Sequence, residues 1–112
     1  MKRDTQAQLL RILIGEGDKY KGKMLYEAIV LKARELHLAG ATVIRGIMGF
    51  GADTLIRSAK LLELSNDLPV IIEIADTEAN INKLLPFLDE VVTDGLITIE
   101  NVRIIKYTHN AG

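Results

Sequence analysis

The chain has 112 residues, 48% of them apolar and 26% charged, with a net charge of -1 and no cysteine. That length fits a single domain, 1–112, able to bury roughly 60 to 70% of its unfolded surface. The balance argues against a disordered chain and a broadly basic nucleic-acid binder, while the absence of cysteine removes disulfide and thiol chemistry and suits a reducing cytoplasm.

Residues 1–8 include basic side chains, but the apolar stretch after them is short and broken by Arg11, so it reads as a strand rather than a signal peptide. No apolar run approaches the ~20 residues that cross a bilayer, so any membrane role is expected to run through a partner rather than by direct insertion. The first strand is placed at 9–14, bounded by Gly15. A glycine-rich loop follows, with Gly15, Gly17, Gly22 and the lysines Lys19, Lys21 and Lys23 beside Glu16 and Asp18. From 23 to 38 the apolar residues Leu25, Ile29, Ala33 and Leu36 recur at helical spacing, and the helix is expected to stop near Gly40.

A second strand is predicted at 41–48, ending in the second glycine cluster, Gly46, Gly49 and Gly51; an irregular stretch then runs to Leu68-Pro69. The third strand is 70–74. Asp76 or Thr77 offers an N-cap for a second helix carrying Ile81, Leu84, Leu85 and Leu88, in which Pro86 predicts a kink or break. Two short strands, 96–99 and 102–107, complete the domain, and 109–112 reads as a frayed end. The order β-α-β, β-α-β with a short added strand is that of an α+β, ferredoxin-like sandwich.

In such a fold the helices cover one sheet face, and the other should read polar in a monomer. Here it does not: Leu9 and Leu13 flank Arg11 on one strand, and Ile71 and Ala75 flank Glu73 on another. Exposing four large aliphatics at roughly 1.5 to 3 kcal/mol each would forfeit on the order of 10 kcal/mol, comparable to a domain's whole stability. A homo-oligomer packed sheet against sheet would cover them, with Arg11 and Glu73 as a polar pair within the interface.

Both glycine clusters are candidate binding segments. Lysines and glycines entering a helix N-terminus suit a phosphate or carboxylate, although neither a Walker A pattern nor a dinucleotide fingerprint is present. Gly49-Phe50-Gly51 lets the backbone bend sharply while Phe50 plugs the core or stacks on a ligand, the core plug being preferred for the ring alone. Arg45, Arg57 and Lys60 lie nearby in sequence, and Thr93-Asp94-Gly95 reads as a turn. Catalytic patterns are missing: His37 and His109 are isolated, and Ser58 and Ser65 have no histidine partner. An acidic pair such as Glu73 and Asp76 is the one arrangement that would revive an enzyme reading.

The run from Gly40 through Gly51, with Leu68-Pro69-Val70-Ile71-Ile72-Glu73-Ile74 and Asp94-Gly95-Leu96-Ile97, resembles the PII signalling superfamily. Together with the added segment from Ile14 through Lys23, it looks like the PII-like family catalogued as a domain of unknown function, number one-ninety. The resemblance implies a homotrimer with inward-facing sheets and ligand clefts between subunits. It implies a non-enzymatic cytoplasmic regulator without cofactor or metal, whose partners are a small anionic metabolite or nucleotide and a transporter, channel or enzyme. By the same resemblance Gly49-Phe50-Gly51 opens a loop that touches targets, and Thr93-Asp94-Gly95 corresponds to a phosphate-holding turn. Arg103 and Lys106 loosely echo a basic C-terminal loop. Val92–Leu96 is poorer in glycine and lysine than that turn in PII proteins proper, and 52–68 contains no tyrosine for uridylylation. The ligand-binding candidates are thus Gly15, Gly17, Lys19, Lys21, Lys23, Arg45, Gly49, Phe50, Gly51, Arg57, Asp94, Gly95, Arg103 and Lys106. The rival reading is a trimeric structural module whose glycines serve only turns and contacts.

Overall fold

The computed structural model describes residues 2–53, 55–59 and 67–109. Alternating apolar residues build β1 (Lys2–Gly15) and β7 (Pro69–Asp76), which pair antiparallel at the centre of a sheet flanked by β4 (Thr42–Arg45) and β8 (Leu96–Tyr107). The sheet order is β4-β7-β1-β8, and α1 (Leu25–Glu35) and α2 (Glu78–Val91) supply the two crossovers of the expected βαββαβ arrangement. Leu10, Ile12 and Ile14 of β1 and Val70, Ile72 and Ile74 of β7 are buried against Leu25, Ile29 and Ala33 of α1 and Ile81, Leu84, Leu88 and Val91 of α2.

Several boundaries differ from expectation, among them the strand expected at 41–48, which stops at Arg45 and resumes as the short β5 (Met48–Gly49). β1 begins at Lys2 because its first residues pair with the far half of β8; the polar side chains of Thr5, Gln6 and Gln8 conceal this from an apolar count. β8 is one continuous strand, so the two short strands expected at 96–99 and 102–107 are a single element and the second is not an added strand. The additions are two small ribbons, β2 (Lys19–Tyr20) with β3 (Lys23–Met24), and β5 (Met48–Gly49) with β6 (Arg57–Ser58). Residues 60–66, including Lys60 and Ser65, lie outside the described residues.

Helix α2 starts where the Thr77 side chain accepts a hydrogen bond from the Asn80 amide at 3.2 Å, and it continues through Pro86 without a break. Helix α1 ends at Glu35, before the expected stop near Gly40. His37 turns left-handed at φ 63°, its amide donating to the Arg34 carbonyl, while the Leu38 amide reaches the Ala33 carbonyl. This closing pattern normally uses glycine at the left-handed position. His37→Gly is therefore expected to stabilise the domain by about 0.5 to 1 kcal/mol, read as a higher urea midpoint at unchanged m-value. A lower midpoint would show that the imidazole contributes more than the backbone costs.

The second sheet face carries the predicted apolar residues in register. Ile44, Ile71, Leu13 and Leu96 form a row across all four strands. Beside it, Arg11 Nε donates to Glu73 at 2.8 Å and Arg11 Nη1 to Glu100 at 2.7 Å. The predicted Arg11–Glu73 pair lies on this open face, joined by Glu100, and its hydrogen bond to Glu73 is the main cause holding the Arg11 pKa above its ordinary value.

Candidate functional site

A cleft of about 580 Å³ opens at the end of the sheet where β1 leaves toward the ribbons and β8 enters. Its floor is apolar, from Leu13, Val70, Ile71 and Pro69, and its rim is made by the two glycine segments and the turn before β8. Of the sequence-predicted residues, Gly15, Gly49, Phe50, Gly51, Arg57, Asp94 and Gly95 all line it. The antiparallel meeting of β1, β7 and β8 brings these segments together although they stand far apart in the chain.

The cleft is less basic than the sequence suggests. Its described lining contains Asp18, Asp53, Asp67 and Asp94 against the single cation Arg57. Arg57 donates to Asp53 at 3.0 Å and lies 3.3 Å from Asp67. The other oxygen of Asp67 accepts the Gly17 amide at 2.7 Å. A Cβ built on Gly15 would sit 2.7 Å from that same oxygen, so the open space at this glycine is already filled by an internal carboxylate rather than kept for a ligand. Gly95 is needed for a different close approach, since a Cβ there would meet the Leu13 carbonyl oxygen at 2.7 Å.

The lysine-bearing loop goes elsewhere. Lys21 (φ 50°) and Gly22 (φ 81°) form the two-residue turn of the β2–β3 ribbon, both left-handed as a tight hairpin requires. Lys19 donates to the Met24 sulfur at 3.3 Å, and Lys21 and Lys23 border a separate shallow depression with Tyr20, Lys32 and Phe87. There Tyr20 meets Phe87 edge to face at 5.8 Å, with the Lys21 ammonium over the first ring and that of Lys32 over the second. Arg45 pairs with Glu16 outside the cleft lining. Arg103 binds Asp4 at 2.6 Å on the outer part of the β1–β8 pair, and Lys106 lies beyond it on the same strand.

Phe50 is not a core plug: it is 70% exposed. With Ile47 at 79%, and Met48, Leu55 and Ile56 also exposed, it gives the β5–β6 ribbon an apolar surface, of which Met48 and Phe50 also line the cleft. Asp67 is the residue sequence reasoning missed. Its partners Gly17 and Arg57 are 50 and 10 positions away, so no local pattern in the sequence marks it. The suggested Glu73–Asp76 pair does not form. Glu73 lies on the open face with Arg11, whereas Asp76 is buried and bonded to the Ala39 amide at 2.8 Å.

A ferredoxin-like sheet with a loop rising over a cleft at its end is also the fold of solved PII-like proteins. CPII of Thiomonas intermedia K12, described in complex with ADP and bicarbonate, aligns over 91% of each chain with a TM-score of 0.66 at 15% identity. A PII-like signalling protein of Thermus thermophilus aligns over 93% of this chain and 94% of its own, with a TM-score of 0.68 at 17% identity. At such identities the likeness speaks for the fold.

Sequence carries the assignment further. Residues 7–104 match the model of the DUF190 family, described as Uncharacterized ACR, COG1993, and the chain belongs to that family. It is 41% identical over 105 residues to a UPF0166 protein of Aquifex aeolicus, covering 92% of this chain and 97% of that one. The UPF0166 protein MJ1524 of Methanocaldococcus jannaschii is 40% identical over 102 residues, covering 90% and 94%.

Proposed function

We propose that this chain is a non-catalytic, cytoplasmic PII-like regulator that assembles as a trimer, binds a small anionic metabolite or nucleotide at its cleft, and alters how a transporter, channel or enzyme is engaged. The observation that carries the reading is the position of the cleft at the foot of a ribbon whose apolar residues face solvent. A ligand seated against Gly49, Phe50 and Gly51 touches the same backbone that presents Ile47 and Phe50 outward. Only a ligand with different affinity for two arrangements of that ribbon can shift it. That CPII is described with ADP and bicarbonate supports a small anionic ligand as the class to test first.

A specific observation favours the rival reading of a ligand-free interaction module. Four aspartates line the cleft of one subunit and its one described arginine is already paired. A thermal-shift screen against nucleotides, cyclic dinucleotides, 2-oxoglutarate and other small anions separates the two. A true ligand at 100 times its Kd stabilises the native state by about 2.7 kcal/mol and raises the midpoint with concentration. Unchanged midpoints across the panel would leave the module as the function.

A further inference from the structure

We infer that Arg57 is the residue that receives an anionic group in the cleft and that Asp67 is its built-in competitor, so that ligand occupancy and attachment of the β5–β6 ribbon to the Gly15–Gly17 turn exclude each other. This rests on the reading of the cleft as an anion site. It adds which group takes the anion, what the anion displaces, and which part of the chain is released.

The division of labour within one carboxylate is the key geometry. Asp67 Oδ1 holds the Gly17 amide at 2.7 Å, and Asp67 Oδ2 faces Arg57 Nε at 3.3 Å. One side chain therefore ties the turn after β1 to strand β6. Arg57 stands opposite Gly49 in the ribbon register, and its side chain is only 23% exposed. Its second carboxylate, Asp53, lies four residues back in the same loop, with Asp53 Oδ2 at 3.0 Å from Arg57 Nη2 and Asp53 Oδ1 accepting the Leu55 amide at 3.0 Å. The guanidinium thus joins the ribbon both to its own loop and to the body of the domain.

An anion entering this cleft meets like charge from Asp18, Asp53, Asp67 and Asp94, and its one favourable pairing among the described lining residues is with Arg57. A planar guanidinium binds phosphate or carboxylate with paired, charge-assisted hydrogen bonds that are shorter and stronger than the 3.3 Å contact with Asp67. The exchange is selective. Asp67 Oδ1 keeps the Gly17 amide when Oδ2 gives up the arginine, so the turn stays folded while the ribbon loses this one tie and keeps the Gly46 amide bond to the Pro69 carbonyl at its base. The four carboxylates repel an anion in proportion to its charge, so only a group placed directly against Arg57, with paired hydrogen bonds, gains enough to offset them.

The test uses the full chain with sodium pyrophosphate and ADP as probes, followed by isothermal titration and by hydrogen exchange of residues 48–59. Asp67→Asn removes the competing charge and retains an oxygen for the Gly17 amide. It is expected to bind both probes at least about tenfold more tightly than wild type. Its unliganded ribbon should exchange faster, and saturating wild type with either probe should reproduce that acceleration. Arg57→Gln should lose binding of both, and Asp53→Asn should tighten binding by less than Asp67→Asn. A rise with ADP alone would assign the site to nucleotides rather than to free phosphates and still support the exchange.

Binding that is equal in wild type, Asp67→Asn and Arg57→Gln would overturn the inference and leave the anion-binding cleft standing. Failure of every form, Asp67→Asn included, to bind either probe would overturn both.

Discussion

Replacing Asp76 by alanine is expected to cost about 3 to 5 kcal/mol, a large share of the ~5 to 15 kcal/mol available to a domain of this size. Asp76 has no exposed surface, and its carboxylate accepts from the Thr77 amide at 2.7 Å, the Ala39 amide at 2.8 Å and Asn80 Nδ2 at 3.0 Å. Those donors come from the N-cap and first turn of α2 and from the connection between α1 and β4, so the side chain joins the start of the second crossover to the end of the first. Alanine would leave three half-buried donors without their acceptor, which costs more than the bonds themselves contribute. Asp76→Asn keeps an acceptor but turns an NH2 toward N–H groups, so its loss should be intermediate. Urea unfolding followed by circular dichroism reads both variants. An alanine variant within about 0.5 kcal/mol of wild type, the range of an ordinary surface change, would mean that water or a neighbouring group takes over the three donors.

Much of this architecture is legible in sequence because burial imposes a period. Leu10, Ile12 and Ile14, and Val70, Ile72 and Ile74, alternate with residues of the other face, and Leu25, Ile29 and Ala33 recur at helical steps. Apolar residues on the second face, Leu13 and Ile71 among them, betray that face as well, because alternation fixes which side each residue takes. Length was harder to read. Residues 5–8 of β1 are held by backbone pairing to β8 with Ala7 alone among them buried and apolar, so Gln6 and Gln8 carry no strand pattern.

The candidate site was legible in its glycines and in Arg57 and Asp94, and not in its lysines, in Arg45 or in Asp67. Gly15, Gly49, Gly51 and Gly95 converge because each lies at the same end of the sheet. Their neighbours in sequence do not follow. The tight Lys21-Gly22 turn sends the lysines toward Phe87 of α2, and Arg45 turns to Glu16. Asp67 enters the cleft from a segment whose composition looked merely irregular. Phe50 illustrates the same limit: an aromatic between glycines suits a core, but the short β5–β6 pairing carries it away from the sheet and into solvent.

The second large effect concerns the open sheet face, where Ile71→Asp is expected to turn the proposed trimer into monomers. Ile71 lies between Ile44 and Leu13 in the four-strand row that ends at Leu96. Burying each such side chain contributes roughly 1.5 to 3 kcal/mol, repeated in every subunit, whereas a carboxylate placed there would be buried without a partner and costs several kcal/mol. The polar strip beside the row does not oppose assembly to the same degree. Arg11 is already bonded to Glu73 and Glu100, and Glu100, the carboxylate in excess, is the more exposed at 56%. The pair therefore enters an interface with its hydrogen bonds formed, and the surplus charge stays toward the edge strand. Light scattering after size exclusion should give three chains for wild type and one for Ile71→Asp, with far-ultraviolet dichroism unchanged because the substitution faces away from the helices. A monomeric wild type would remove the trimer, and a variant that remains trimeric would place the subunit contacts elsewhere than this row.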